Sequence, residues 1–195
     1  MNAGNFYEYP NGVLRNKYGM QDAAQLASVE AAATLLRIAY IQQHPIPGSF
    51  DLVHLQAIHQ YLFQDVYAWA GEVRLVEISK GNSQFALVAY LAQNAATIFA
   101  RLVQEQHLRG MTFDAFAQRA AYYLGELNAL HPFREGNGRT QRAFLSQLAH
   151  AAGYLLHWER ITADQMIDAS VLSLVHGDNS GFADILHTSM VLILP

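Results

Sequence analysis

The sequence predicts an all-α fold, a helical bundle that carries one short β-hairpin. Three observations predict it. Apolar residues recur at helical spacing along most of the 195 residues. Capping side chains, prolines and glycines punctuate that pattern at helix-length intervals. One stretch, 73–78, alternates instead and is followed by a turn dipeptide.

The elements follow in order. Leu26, Val29, Ala33, Leu36 and Tyr40 mark the inward face of a first helix beginning near Asp22, where Asp22 and Gln25 have capping-box spacing. His44-Pro-Ile-Pro-Gly48 ends it, because two prolines and a glycine cannot continue a helix. A second helix follows Asp51, with Leu52, Leu55, Ile58 and Leu62 on one face. Val73–Ile78, the Gly81-Asn82 turn and a return through Gln84-Phe85 read as a hairpin. An isolated hairpin is marginal, so this one must lean on helices, as a connecting loop or as a flap over a site. A third helix carries Val88, Leu91, Ala95, Ile98 and Leu102 and stops near Gly110. A fourth starts around Thr112 with Phe113, Phe116, Ala117, Ala120, Leu124 and Leu127 inward. A fifth runs from about Gly138 to Ala152, burying Phe144, Leu145, Leu148 and Ala152. Thr162 with Gln165 caps a sixth, and Ser180 opens a last one. The apolar end, Met190–Pro195, reads as a final helical turn or as a cut within a longer protein.

Composition narrows the function classes. Apolar residues make up 52% and charged ones 14%, a globular balance. The net charge is -4 with no Lys/Arg run, which argues against direct nucleic-acid binding. Cysteine is absent, so neither disulfides nor thiolate metal sites contribute, which suits a reducing cytoplasm. No apolar run approaches the roughly 20 residues needed to span a bilayer, and Met1–Pro10 lacks a signal-peptide pattern. A soluble cytoplasmic domain with no membrane partner is the expectation, and the length fits one domain over 1–195.

The chemistry concentrates in His131-Pro-Phe-Arg-Glu-Gly-Asn-Gly-Arg-Thr-Gln-Arg142. Pro132 biases His131 out of the helical region and closes the fourth helix. Gly136-Asn137-Gly138 then leads into the fifth. Glycines around an Asn permit backbone angles that aim successive N–H groups into one concavity. A helix N-terminus adds unpaired N–H groups and partial positive charge, which suits phosphate. Arg139 and Arg142, three apart on one face, can add forked hydrogen bonds to further phosphate oxygens. Glu135 beside an anion site calls for Mg²⁺, which typically takes one or two carboxylates plus substrate phosphates. His131, with an unperturbed pKa of about 6.5, can take a proton from an attacking hydroxyl at neutral pH. Singly, each feature is commoner as an ordinary histidine, turn or surface ion pair. Together they are more than a turn needs, and they fit phosphoryl-type transfer.

At every defined position the segment resembles the Fic family signature, His-Pro-Phe-x-(Asp/Glu)-Gly-Asn-Gly-Arg-x-x-Arg. Asp65-Val-Tyr-Ala-Trp-Ala-Gly71, Arg74, Ser79-Lys80-Gly81 and Phe85 are similar to the stretch leading into the family's flap. Gly125-Glu-Leu-Asn-Ala-Leu130 is similar to the helix before the motif. The resemblance implies a helical core with a hairpin flap at about 73–86, and transfer of AMP from ATP to Tyr, Ser or Thr of a target protein. It implies His131 as general base, Glu135 as the Mg²⁺ ligand and Gly136, Asn137 and Gly138 as the anion hole. Arg139 and Arg142 would hold the β/γ end of ATP. Lys80, Gly81, Asn82, Ser83, Gln84 and Phe85 would form the flap that pins the target.

Many relatives carry an inhibitory helix bearing (Ser/Thr)-x-x-x-Glu-(Gly/Asn), whose Glu pairs with the motif's second Arg. No Glu here has Ser or Thr four residues before it, and the only Glu followed by Gly or Asn is Glu135. The resemblance then implies a toxin whose brake is a separate small antitoxin supplying a Glu to Arg142, with a type II topoisomerase subunit as target by analogy. Alternatives are a Fic-fold transferase of phosphate, UMP or phosphocholine, the Fic domain of a secreted effector, and a metallohydrolase using His131, Glu135, His150 or His157. A helical interaction module is the non-enzymatic alternative, distinguished by its tolerance of His131→Ala.

Overall fold

The computed structural model describes residues 4–80 and 83–193. The helices are α1 (Gly4–Tyr7), α2 (Ala23–Gln43), α3 (Leu52–Phe63), α4 (Leu91–Gln104), α5 (Phe113–Leu130), α6 (Asn137–Ala151), α7 (Ala163–His176) and α8 (Ser180–Ser189). The strands are β1 (Ser79–Lys80), β2 (Ser83–Gln84), β3 (Tyr154–Leu156) and β4 (Met190–Leu192). The fold is helical with small antiparallel sheets, as the periodicity implies. No helix among the described residues is long and apolar enough to cross a membrane.

Local chemistry starts most helices where the sequence places them. The Asp22 carboxylate accepts the Gln25 N–H at 2.9 Å, and Asp51 accepts that of His54 at 2.8 Å. Thr162 and Gln165 complete a reciprocal capping box. Leu55, Ile58 and Leu62 of α3 are fully buried, as are Phe116, Ala117 and Ala120 of α5 and Leu145 and Leu148 of α6. These faces meet in one core in which α5 packs on α6, α7 and α8 while α3 packs between α2 and α6. Gly125 permits the approach of the segment before α8, since a Cβ there would lie 2.2 Å from Asn179 Oδ1.

Four expectations are corrected. The inward face of α2 is Leu26, Glu30, Thr34 and Ile41, while Leu36 and Tyr40 point outward at 75% and 52% exposure. The helix is rotated so that its buried carboxylate and hydroxyl reach partners on α6, which outweighs burying a leucine. The hairpin strands are β1 and β2, with Ser79 opposite Gln84, rather than Val73–Ile78 opposite Gln84-Phe85. The backbone of 73–78 bends at 75–76 and is tied elsewhere, Arg74 N–H donating to Pro132 O at 2.8 Å. Gly81 and Asn82 lie outside the described residues. Met190–Leu192 is a strand paired with Tyr154–Leu156, not a helical turn. The third helix ends at Gln104, because Gln106, His107 and Leu108 all take positive φ.

Candidate active site

His131 ends α5 as a left-handed C-cap (φ 44, ψ 60), its N–H donating to Leu127 O at 3.0 Å. Pro132 keeps His131 out of the helical region and the helix closes there, as its place before a proline implies. The α5 C-cap is a left-handed turn that aims the side chain back toward the helix it has left. Nδ1 lies 3.1 Å from Asn128 O. A carbonyl only accepts, so Nδ1 carries the proton and Nε2 keeps the lone pair. The imidazole stacks on Phe85, centroids 3.7 Å apart and planes at 19°.

The loop 132–136 is held by its own side chains. Asn137, which is buried, accepts the Phe133 N–H at 2.9 Å and donates to Phe133 O at 2.8 Å. Its side-chain amide is therefore spent on the loop, and its contribution to an anion site is the backbone N–H. Gly136 caps α6 at φ +79, and a Cβ there would lie 2.2 Å from the Phe63 ring. Gly138 sits within α6 at ordinary helical φ, so only one of the two glycines is required by backbone angle. Thr140 is the first residue of α6 whose N–H bonds back, to Gly136 O at 3.1 Å. The amides of Asn137, Gly138 and Arg139 precede it without an intrahelical partner.

His131, Glu135, Gly136, Asn137, Gly138 and Arg142 line one cavity of about 900 Å³. Ser79 and Phe85 of the flap region border it, while Met166, Ile167, Val171 and Leu174 of α7 give it an apolar wall. The Arg142 guanidinium makes no hydrogen bond or ion pair among the described residues. Burial holds its guanidinium below the ordinary arginine value, and the nearby charge of Arg139 adds to this. A desolvated, uncompensated cation beside free helix amides is an anion site in waiting.

Arg139 does not join them. Its guanidinium turns to the α2 side of α6, paired with the Glu30 carboxylate, 3.2 Å from Thr34 Oγ1 and over the Phe63 ring at 4.7 Å. The expectation that Arg139 and Arg142 share one clamp is not met in this arrangement: the two start on neighbouring positions of α6, but Glu30 captures the Arg139 side chain and draws it toward α2. Glu135 is half exposed on the cavity, its Oε1 accepting the Gly136 N–H at 2.8 Å and lying 3.5 Å from Arg139. One open carboxylate beside a phosphate cradle fits Mg²⁺, which takes its other ligands from phosphates and water. Among the described residues no three His, Cys, Asp or Glu side chains converge as a metal site. His150 and His157 line a different cavity, behind α6, which leaves a zinc hydrolase without a ligand set.

Several supporting residues escaped the sequence. Arg74 is fully buried; its guanidinium donates to His131 O at 2.8 Å, to Val76 O at 2.8 Å and to Ala86 O. It ties both ends of the hairpin to the turn at His131. His59, also fully buried, accepts the Gly71 N–H at Nδ1 and donates from Nε2 to Glu135 O at 3.0 Å. It is stacked between Phe133 and Phe63. Nothing local marks a structural histidine or a buried arginine; Arg74 stood out only through its place in the family-like stretch.

The Fic/DOC family profile matches residues 49–149. The chain is 50% identical over 162 residues to Protein adenylyltransferase VbhT of Bartonella schoenbuchensis, covering 83% of this chain and 34% of that protein. It therefore spans about a third of that relative's length. It is 40% identical over 159 residues to the Salmonella typhimurium protein named "Probable protein adenylyltransferase Fic", covering 81% of this chain and 78% of that one. The structure superposes on BepC, a VirB-translocated Bartonella tribocorum effector solved with bound AMPPNP, at TM-score 0.94 and 25% identity, over 98% of this chain and 99% of that one. An ADP-bound N-terminal Fic domain from Bartonella quintana matches at TM-score 0.91 and 28% identity, over 98% and 97%. By profile, identity and superposition together, the chain belongs to the Fic/DOC family.

Proposed function

We propose that this chain is a protein adenylyltransferase that moves AMP from ATP to a Tyr, Ser or Thr hydroxyl of another protein. One observation carries the reading: a histidine with its lone pair on Nε2 and a desolvated, uncompensated Arg142 border the same cavity as the free amides at the start of α6. Names of relatives and nucleotides bound in related structures support it.

In the proposed reaction Nε2 of His131 takes the hydroxyl proton as that oxygen attacks the α-phosphorus of ATP. The new bond is a phosphate ester to AMP; the bond to the β-phosphate oxygen breaks and pyrophosphate leaves. The amides of Asn137 and Gly138 and the α6 N-terminus stabilise the phosphate charge, and Arg142 takes the γ end. Glu135 would hold Mg²⁺, which would supply charge neutralisation to the ATP phosphates. The wall of Met166, Ile167 and Val171 suits a purine face. Ser79–Phe85 would align the target segment by pairing along the hairpin edge, with Phe85 against His131.

Regulation by a separate small antitoxin is part of the proposal. The cavity of about 710 Å³ behind α6, lined by Ile38, Ile41, Ile46, Phe50 and Trp158, also reaches Arg142. An antitoxin segment seated there could place a carboxylate on that guanidinium and exclude the γ-phosphate. The setting is the cytoplasm, and a type II topoisomerase subunit is the first target to try. A second reading, the Fic domain of a translocated effector, is favoured by the superposition on effector domains. Mass spectrometry of bacterial lysate treated with the protein, ATP and Mg²⁺ tests the reaction. Peptides gaining AMP support it; peptides gaining only phosphate or UMP contradict it.

A further inference from the structure

The strongest unassigned feature is a buried polar cluster behind the site. Glu30 sits on α2 with a side chain only 12% exposed. It receives hydrogen bonds from the Arg139 guanidinium at Oε1 and from the Tyr67 hydroxyl at Oε2. Thr34, one turn on, donates to Glu30 O at 2.8 Å and receives Arg139 at 3.2 Å. Burial, and then the hydrogen bond to Glu30, push the Tyr67 phenol up, so it stays a donor. A buried carboxylate that receives two strong donors is held in place, and the Arg139 guanidinium is its ion-pair partner.

Arg139 has a second carboxylate within reach. Glu135, in the loop just before α6, lies 3.5 Å from the same guanidinium nitrogen, at ion-pair length and without a hydrogen bond. The two glutamates compete for one cation. Glu30 wins because it is desolvated and already oriented by Tyr67, while Glu135 is half exposed. The consequence is a carboxylate on the cavity that its neighbouring guanidinium does not close upon.

We infer that Glu30 is a positioning residue that keeps Arg139 off Glu135 and so leaves the Glu135 carboxylate available to a divalent cation. The inference rests on the cation reading of Glu135 given above. Without the Glu30 charge, Arg139 is free to close on Glu135, already 3.5 Å away, and the cation must displace a guanidinium. Outer partners of metal ligands typically change metal affinity about 10–100-fold.

The test is calorimetric titration of ADP into the wild-type chain and into Glu30→Gln across a series of Mg²⁺ concentrations, with melting temperatures alongside. The Mg²⁺ concentration at half-maximal ADP affinity is expected to rise about tenfold in Glu30→Gln, with Mg²⁺-free ADP affinity unchanged. Glu30→Asp keeps the charge and should recover most of the wild-type dependence; it serves also if Glu30→Gln folds poorly. A lowered melting temperature with unaltered Mg²⁺ dependence would overturn the inference, leaving Glu30 merely structural. Tighter Mg²⁺-free ADP binding would overturn it too, by making Arg139 a phosphate ligand held in reserve. If the wild-type chain itself shows no Mg²⁺ dependence, the cation reading of Glu135 falls first and this inference with it.

Discussion

The imidazole of His131 lies flat on the ring of Phe85, centroids 3.7 Å apart. One ring comes from the end of α5 and the other from the residue after β2, so the hairpin and the His131 turn share a stack. Phe85 N–H to Ile78 O at 3.4 Å and Ala86 N–H to Ala129 O at 2.9 Å fix the second ring. Phe85→Ala is expected to lower kcat roughly threefold to tenfold, the worth of one aromatic pair, while ADP affinity holds. Steady-state kinetics beside calorimetry checks this; an unchanged kcat would leave the stack without a role in orienting the imidazole.

Arg74 joins the same pieces from beneath. Replacing it with Met keeps the buried stem but leaves the carbonyls of His131, Val76 and Ala86 without their donor. Unsatisfied buried acceptors cost about 1–3 kcal/mol each. Arg74→Met should therefore lower the melting temperature by roughly 10 °C. Arg74→Lys should recover little, since an ammonium lacks the planar fork. Differential scanning calorimetry decides it, and a loss of only a degree or two would show the three bonds to be dispensable.

Gly136 and Phe63 meet as backbone and ring. A methyl at 136 would sit 2.2 Å from the ring, at φ +79 where a side chain is strained. Gly136→Ala is expected to cost about 3 kcal/mol from clash and strain together. Phe63→Leu in the same chain relieves the clash but not the strain. The double mutant should then be more stable than the sum of single effects allows, by urea denaturation. Strict additivity would mean that the loop moves aside.

His59 ties the core to Glu135, and burial pushes its pKa down to about 4, with the Arg139 charge acting the same way and the Glu135 carbonyl opposing. The unfolded imidazole takes its proton near pH 6.5. Between these values the unfolded chain binds more protons than the folded one. Stability from this group thus rises with pH, is complete above about pH 6.5 and is lost as pH falls toward 4. The full swing is on the order of 3 kcal/mol. Urea midpoints from pH 4 to pH 7 should fall with acidity more steeply for the wild-type chain than for His59→Phe. Parallel profiles would contradict the neutral buried imidazole.

The parts of this molecule that were legible before its coordinates are those written in local chemistry. Asp22, Asp51 and Thr162 announce helix starts because a cap needs only the next three residues. The segment from His131 to Arg142 announces an anion site because its amides, glycines and charges are contiguous. What escaped depends on distant partners. Glu30 and Thr34 look like the polar side of α2 until Arg139, more than a hundred residues later, turns them inward. Arg139 looks like a second phosphate clamp for the same reason. The pairing of Tyr154–Leu156 with Met190–Leu192 joins two short apolar runs that have no strand pattern of their own. The alternation at 73–78 is real, but Arg74 and its carbonyl partners claim that backbone before a ladder can.

The most direct test of the central claim follows label from ATP to protein. The purified chain and its His131→Ala variant are incubated with a target-containing lysate and ATP labelled at the α- or the γ-phosphate. Label should reach protein from the α-position only, and His131→Ala should reduce it by about 10²–10⁴-fold while still binding ATP. Transfer from the γ-position, or transfer that survives in His131→Ala, would contradict a histidine-driven transfer of AMP at this site.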